Sequence, residues 1–320
     1  MMISNDFVKF MGKTKLIMAQ TCLSCKSHKI KLFHKQDKWT VYKCLNCGYI
    51  FTNPYPAPEV IHEYYTFDYF KDERHVKKFF NSNGTLKIGE VDYLSRIVDI
   101  ENEFDQRGRL LEIGAAHGQF LDVMKRIGWE VNGVEISSDA CKIAHDEYGL
   151  EIFKGTFLEY SDDKLFNVIC MYQTLEHVYQ PFEHIEKAYS LLKTGGILVI
   201  EVPNVYSFDM LVSKKRRWYS YDLPRHLSHF YPRILKKHLL ANNFTILKID
   251  RYYSNFILTL NNLKKKKSES DGINCNVYAS SSQDEDMPKM KKAHVTWKGE
   301  LLKKLSYLLP GWKFTIIARK

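Results

Sequence analysis

Between residues 109 and 202, short apolar runs alternate with stretches in which apolar residues recur at helical spacing. Arg109 to Ile113 predicts a first strand, Gln119 to Ile127 a helix, and Val131 to Ile136 a second strand. This alternation is typical of a parallel sheet with helices on both faces. We therefore predict a doubly wound α/β domain over this part of the chain.

The same patterns extend to both sides of that region. Leu86 to Ile100 predicts a helix that leads into the domain, Pro232 begins a helix that runs through Phe244, and Thr245 to Tyr252 predicts a strand. Leu301 to Leu309 predicts an amphipathic helix, which we expect to pack on the sheet rather than on a membrane. No apolar run approaches the roughly 20 residues that span a bilayer, so we expect a cytoplasmic protein.

Four of the seven cysteines form two closely spaced pairs, Cys22-x2-Cys25 and Cys44-x2-Cys47. The intervening 18 residues fit a zinc ribbon, in which two tight knuckles supply four thiolates. Because protein atoms fill all four positions, such a zinc ion is structural. The alternative, an accidental pairing of two such motifs, remains open.

The formal net charge of +10 is concentrated near the C-terminus, where residues 203–320 hold 23 Lys and Arg against 9 Asp and Glu. The basic runs at 214–217 and 264–267 suit phosphate-bearing substrates, nucleic acid or anionic lipid. The alternative is a solvated lysine-rich surface.

The first predicted strand ends in the sequence Glu112-Ile-Gly-Ala-Ala-His-Gly118, directly before a helix. Glycines at this turn let the backbone pass under a ligand, and the helix offers free N–H groups. Glu135, 21 residues beyond Gly114, can accept both hydroxyl protons of a ribose. Ala116 replaces the second glycine that a dinucleotide needs, so the turn predicts an adenosine-like ligand without a pyrophosphate.

Three motifs together resemble the class I S-adenosylmethionine-dependent methyltransferases. They are Leu111-Glu-Ile-Gly114 with Gly118, Phe166-Asn-Val-Ile169 followed by Leu175-Glu-His-Val178, and Leu192-Lys-Thr-Gly-Gly196 before the strand Ile197 to Val202. With the four cysteines, the chain is similar to the branch that has an N-terminal zinc-binding module and includes sugar C-methyltransferases and glycan or natural-product methyltransferases. The resemblance covers residues 22–253 and a terminal strand at Phe314 to Ala318.

The resemblance implies a mostly parallel seven-stranded sheet and a domain order. Residues 1–20 are expected to be an N-terminal extension, 21–58 the zinc ribbon, 59–105 a helical connector and cofactor-site lid, and 106–320 the catalytic domain. Within that domain we expect an acceptor insertion at 204–243 and a mobile insertion at 263–293.

The resemblance also implies the roles of individual residues at the cofactor. Glu112, Gly114, Ala115 and Gly118 would line the methionine end, and Glu135 with Ile136 would hold the ribose. Thr156 and Phe157 would face the adenine, and Gln173 would lie under the sulfonium.

Histidines are the natural bases for an acceptor at neutral pH. His177 follows the fourth strand, and Pro224-Arg225-His226-Leu with His229 resembles a signature that this family places at the acceptor. We predict His226 and His177 as catalytic residues, with Arg225 facing an anionic acceptor. A helix-capping role for His177 and structural hydrogen bonds for His226 and His229 are the alternatives.

The sequence thus predicts an S-adenosylmethionine-dependent methyltransferase of a small-molecule or glycan acceptor, at oxygen or carbon, with zinc as a structural ion. One alternative is a nucleic-acid methyltransferase, although the Asn/Asp-Pro-Pro-Tyr/Phe signature is missing after the fourth strand. The other is a non-catalytic cofactor-binding scaffold, against which both acidic residues argue.

Overall fold

A computed structural model describes residues 7–11, 14–61, 91–208, 210, 221–251 and 310–320. The basic runs 214–217 and 264–267, the mobile insertion 263–293, the helix at 301–309 and most of the connector lie outside the described residues.

The elements follow the predicted alternation. The strands are β1 (Phe7–Met11), β2 (Thr14–Met18), β3 (Ile30–Gln36), β4 (Trp39–Cys44), β5 (Ile50–Thr52), β6 (Tyr55–Pro56), β7 (Arg109–Ile113), β8 (Glu130–Glu135), β9 (Ile152–Lys154), β10 (Phe166–Tyr172), β11 (Leu192–Pro203), β12 (Ser228–His229), β13 (Thr245–Arg251) and β14 (Lys313–Arg319). The helices are α1 (Val91–Glu101), α2 (Gln119–Arg126), α3 (Ser138–Tyr148), α4 (Pro181–Leu191) and α5 (Pro232–Ala241).

The helix ends follow local chemistry. The Ser137 hydroxyl accepts a hydrogen bond from the Ala140 N–H at the start of α3, and Gly149 closes that helix with a φ of 59°. Pro181 and Pro232 occupy the first turns of α4 and α5, where a missing N–H costs nothing. Among the described helices, none has the length and apolarity needed to cross a bilayer.

A seven-stranded sheet in the order β13-β14-β11-β10-β7-β8-β9 forms the centre of the molecule. The pairs among β11, β10, β7, β8 and β9 are parallel, and β14 runs antiparallel to both of its neighbours. The prediction of a mostly parallel seven-stranded sheet is confirmed. Its order reverses beside β7, so the turns after β7 and β10 meet at one edge, where ligands bind in such sheets.

The N-terminal strands form two smaller sheets, β1-β2-β6 and β12-β5-β4-β3. The fully buried Leu16 lies on β2, which pairs with β6. Residues 14–18, which the sequence analysis assigns to an N-terminal extension, therefore pack as part of the fold. The cause is the apolar run around Leu16, because burying it against the module removes it from water.

One hydrophobic cluster runs from the N-terminal sheets into the central sheet. It contains Phe51 of β5 with Tyr49 just before that strand, Leu111 and Ile113 of β7, and Phe230. The N-terminal part and the α/β part therefore share one core.

Candidate functional site

The backbone of the turn after β7 lies close to the loop after β10. Gly114 has a φ of 73°, and a Cβ there would lie 2.4 Å from the Thr174 Oγ1 atom. Gly118, with a φ of 74°, precedes the first residue of α2. Both positions favour glycine, because residues that carry a side chain rarely adopt a positive φ. The turn therefore presents bare backbone to the edge of the sheet and touches the loop after β10.

Glu135 ends β8 and faces this turn. Its carboxylate accepts hydrogen bonds from the Ala116 N–H at 2.9 Å and from the Ser137 N–H at 2.9 Å. Ala115 is buried beneath the turn, whereas Ile136 is 60% exposed beyond the strand. The predicted ribose carboxylate thus also orders the glycine turn.

Glu112 lies on β7, two residues before Gly114, and it is almost wholly buried. Its Oε2 atom has no hydrogen-bond partner among the residues that the structure describes. Burial raises the pKa of Glu112 to about 8, Arg96 opposes that rise, and the charge of Glu135 adds to it. A buried carboxyl group of this kind is suited to a cationic ligand group.

Arg96 comes from α1 and was not singled out by the sequence. Its guanidinium carbon lies 4.1 Å from the centroid of the Tyr172 ring, and its Nη2 atom is 2.6 Å from Glu201 Oε1. Lys313 reaches the other oxygen of Glu201 at 3.2 Å. Gln173, with a φ of 54°, donates its main-chain N–H to the Glu201 carbonyl. The contacts of Arg96 with Tyr172 and Glu201, and the hydrogen bond from Gln173, hold the end of β10 in place.

The two residues predicted for the adenine lie after β9. The Thr156 N–H and hydroxyl both donate to Glu159 Oε2, at 2.9 and 2.8 Å. Phe157 is buried, with its ring centroid 5.6 Å from that of His184. Thr156 is exposed. Their contact with a ligand stays a prediction.

The loop after β10 is joined to the segment 221–231, which we call the acceptor segment. The Glu176 carbonyl accepts hydrogen bonds from the N–H groups of Leu227 and Ser228, at 2.8 and 3.0 Å. The Glu176 side chain is buried, and within the described part of the chain neither of its oxygens has a hydrogen-bond partner. Burial raises its pKa well above the usual range. The main chain of Glu176 is thus held by two hydrogen bonds, whereas its buried carboxyl group accepts none from the described residues.

His177 and His226 meet at this junction. Their ring centroids lie 4.6 Å apart in an edge-to-face arrangement. The Nδ1 atom of His177 lies 3.1 Å from the Arg225 carbonyl, which can only accept, so Nδ1 carries the proton of the neutral ring. Burial, and after it the charge of His226, lowers the pKa of His177 to about 3. His177 is therefore uncharged at neutral pH.

Asp222 supplies a carboxylate next to His226, at 3.7 Å between Oδ2 and Nε2. The other oxygen, Oδ1, is 2.6 Å from Nη2 of Arg225. Burial would raise the pKa of Asp222, but the charges of His226 and Arg225 lower it. Asp222 therefore stays ionised, and it binds the guanidinium that we expected to face the acceptor.

Glu176, His177 and His226 each bring one ligand atom within 4.8 Å of the others. One carboxylate oxygen and two imidazole nitrogens can hold a divalent cation or pass a proton among themselves. The sequence did not predict this set, because Glu176 and His226 lie 50 residues apart.

The four predicted metal-ligating cysteines converge. Cys22 Sγ is 3.5 Å from Cys47 Sγ, Cys25 Sγ is 3.6 Å from Cys44 Sγ, and all four sulfurs lie within 4.8 Å of one another. Four thiolates at about 2.3 Å around zinc would stand about 3.8 Å apart. The donor set and its spacing fit a tetrahedral zinc ion.

The cysteine-bearing module, residues 15–61, contacts the acceptor segment directly. Strand β12 pairs with β5, and the Tyr49 hydroxyl is hydrogen-bonded to that of Ser228. The Thr52 hydroxyl lies 2.6 Å from the His226 carbonyl and 3.0 Å from Nε2 of His229. Burial lowers the pKa of His229 well below its usual value. The acceptor segment therefore contributes one strand, β12, to the module's sheet.

Sequence reasoning missed three residues of this region, Arg96, Thr52 and Asp222. Arg96 and Thr52 contact elements that are far from them in the chain. Asp222 alone left a local signal, because it precedes His226 by four residues, one turn of a helix.

A family model described as a methyltransferase domain matches residues 87–249, just over half of the chain. An uncharacterized protein of Methanocaldococcus jannaschii is 30% identical over 155 residues, which cover 47% of this chain and 68% of that protein. A ubiquinone biosynthesis O-methyltransferase of Ruegeria pomeroyi is 30% identical over 129 residues, covering 36% of this chain and 51% of its own length. The match thus spans about half of that curated relative.

Among solved structures, an S-adenosylmethionine-dependent methyltransferase from Archaeoglobus fulgidus superposes with a TM-score of 0.51 at 22% identity. The similarity covers 80% of this chain and all of that one. At this identity the similarity shows the fold.

Proposed function

The chain belongs to the methyltransferase-domain family and is an S-adenosylmethionine-dependent methyltransferase; from this premise we propose that it methylates an oxygen or carbon of a small-molecule or glycan acceptor. One observation carries the proposal. The glycine turn touches Thr174, and the same loop holds His177 against His226, so a cofactor turn and a pair of histidines lie at one sheet edge. A ubiquinone-pathway relative is named as an O-methyltransferase, which supports a small acceptor.

S-adenosylmethionine supplies an already activated methyl group, so the protein has to align the acceptor and remove its proton. We infer that Glu112 receives the amino group of the methionine end and that Glu135 receives the ribose hydroxyls. Gly114, Ala115, Gly118, Ile136, Thr156, Phe157 and Gln173 complete the proposed cofactor contacts.

We infer that His226 takes the acceptor proton. Asp222 stands 3.7 Å from its Nε2 atom and stabilises the imidazolium that results. His177 is neutral, packs on the His226 ring and holds the Arg225 carbonyl, so it orients the base and forms the wall beside it. Water exclusion follows from burial, since His226 is only 7% exposed.

The four cysteines are proposed to hold one structural zinc ion. Zinc would tie the two knuckles together, and through β5 it would support the strand that carries His229. It would take no part in proton removal.

The test combines calorimetry with an acceptor screen. S-adenosylhomocysteine should bind and NAD should not. Glu135→Ala should weaken binding by about 2 kcal/mol or more, because hydrogen bonds to a carboxylate are lost. Glu130→Ala, at the other end of the same strand, is the matched control and should bind normally.

Turnover is then measured with methyl-labelled S-adenosylmethionine against nucleotide-linked sugars, phenols and duplex or single-stranded nucleic acid. Label in a sugar or phenol supports the proposal. Label in nucleic acid alone would establish the alternative class, and binding without transfer to any acceptor would favour a scaffold.

A further inference from the structure

Thr52 lies at the end of β5, in the module, yet its side chain reaches two histidines of the acceptor segment. Its hydroxyl oxygen is 2.6 Å from the His226 carbonyl oxygen and 3.0 Å from His229 Nε2. Thr52 is completely buried, and both histidines are buried as well. Water therefore cannot replace these hydrogen bonds at little cost.

The direction of each bond follows from counting protons. A carbonyl oxygen can only accept, so the single hydroxyl proton of Thr52 goes to His226. The oxygen of Thr52 then has only lone pairs to offer to His229. The Nε2 atom of His229 must donate, so the neutral ring carries its proton on Nε2 and leaves Nδ1 as an acceptor.

The main chain around His226 is also held by backbone hydrogen bonds to Asp222, in the same segment, and to Glu176, in the loop after β10. Its N–H donates to the Asp222 carbonyl at 3.1 Å, and the next two N–H groups donate to the Glu176 carbonyl. Thr52 also donates its own N–H to the Leu227 carbonyl at 2.9 Å. The Thr52 hydroxyl thus adds a side-chain hydrogen bond to the His226 carbonyl, in a segment already anchored by main-chain bonds.

We propose that Thr52 is a positioning residue of the acceptor site, which holds the His226 main chain and sets the tautomer of His229 from within the cysteine-bearing module. This rests on the proposed role of His226 as the base. A shift of the His226 main chain moves its ring relative to His177, Asp222 and the acceptor. Such a displacement lowers the rate of a reaction that depends on alignment more than it lowers the affinity for the cofactor.

The test uses the full-length protein and three variants. Thr52→Val keeps the shape and removes the hydroxyl, and Thr52→Ser restores it. Ser228→Ala is the matched control, because it removes another hydrogen bond between module and acceptor segment, to Tyr49, without touching a histidine ring. Zinc content and S-adenosylhomocysteine affinity are measured first for all of them, to verify that each is folded.

The first readout needs no acceptor. Long-range 1H–15N correlation spectra of 15N-histidine protein report which ring nitrogen carries the proton, and His229→Gln assigns the signal. We expect the Nε2–H tautomer of His229 in the unmodified protein, in Thr52→Ser and in Ser228→Ala, and a shifted or mixed pattern in Thr52→Val. A His229 ring protonated on Nδ1, or a spectrum that Thr52→Val leaves unchanged, would overturn the proposal.

The second readout is turnover with the sugar or phenol identified by the acceptor screen. We expect Thr52→Val to lower kcat about tenfold or more while S-adenosylhomocysteine affinity stays within twofold, and Thr52→Ser to recover most of the rate. Equal kcat in Thr52→Val and the unmodified protein would refute the positioning role. If the screen finds no acceptor, the proposed function fails, and the tautomer spectra still decide whether Thr52 sets the His229 ring.

Discussion

The ionisation of Glu112 is linked to ligand binding if this residue receives the cationic amino group of the cofactor, as we propose. Its pKa of about 8 in the fold lies above the ordinary 4.5 because burial disfavours the carboxylate. A raised pKa means that this group stabilises the fold fully below pH 4.5 and that its contribution is lost as pH rises through about 8. A cationic ligand has the opposite preference, because it favours the ionised carboxylate.

We therefore predict that S-adenosylhomocysteine binding releases a proton near pH 7. Affinity should rise with pH from about 5 to about 8, by at most tenfold per pH unit. Calorimetry in two buffers of different ionisation enthalpy counts the protons, and Glu112→Gln should abolish the release. Identical proton release in that variant would assign it to another group.

The roles of His226 and His177 can be distinguished by measuring turnover and cofactor affinity of variants. His226→Asn should keep cofactor affinity and lower turnover about 10²–10⁴-fold, the usual cost of losing a general base. His177→Asn should cost less if it orients the loop, and a similar amount if it contacts the acceptor. His145→Asn, on the exposed face of α3, is the control. Full activity of His226→Asn in single-turnover experiments would exclude it as the base.

Some of these residues could be read from the sequence and others could not. Glu112, Gly114 and Glu135 lie at strand ends with fixed local signals, so a pattern finds them. The fully buried Thr52 resembles any threonine in a strand until His226, 174 residues away, lies against it. The proposed role of Thr52 depends on its contact with His226, and a contact between residues so far apart in the chain leaves no local sequence pattern.

At the scale of elements, β7, β8, β13 and β14 begin and end within one residue of the predictions, whereas β11 begins five residues before the predicted start at Ile197. β7 matches Arg109 to Ile113, and β8 is shifted by one residue from the predicted Val131 to Ile136. Strand β12 could not be predicted, since it has two residues, Ser228 and His229, and exists only because β5 offers an unpaired edge. A strand this short has no periodicity to detect.

The pairing of β12 with β5 gives the zinc prediction a catalytic consequence. Cys22→Ser or Cys44→Ser should release the single zinc ion and destabilise the module, because structural zinc contributes about 10–16 kcal/mol in small modules. Turnover should fall further than cofactor affinity. Cys141→Ser, a cysteine outside the cluster, should keep the metal and the rate. Metal analysis and thermal unfolding give the answer, and metal-free protein with normal stability would contradict it.

At the scale of the whole molecule, the module and the α/β part are not separable units. The hydrophobic cluster that contains Cys22 and Cys44 also contains Ile113 and Leu175 of the sheet edge. The Ser24 hydroxyl beside the first knuckle is 2.9 Å from Nε2 of His238 on α5. The boundary predicted at residue 58 is thus a boundary in sequence and not in packing.

The shared strand also constrains how acceptor preference can change in evolution or in the laboratory. Residues 221–231 contact the module through Thr52 and Tyr49 and the loop after β10 through Glu176, so a substitution in one partner alters the fit of the other two. Grafting this segment alone from a relative would leave the recipient with mismatched hydrogen bonds on two sides. A chimaera that is to acquire a new acceptor should therefore inherit residues 15–61 and 221–231 from the same parent.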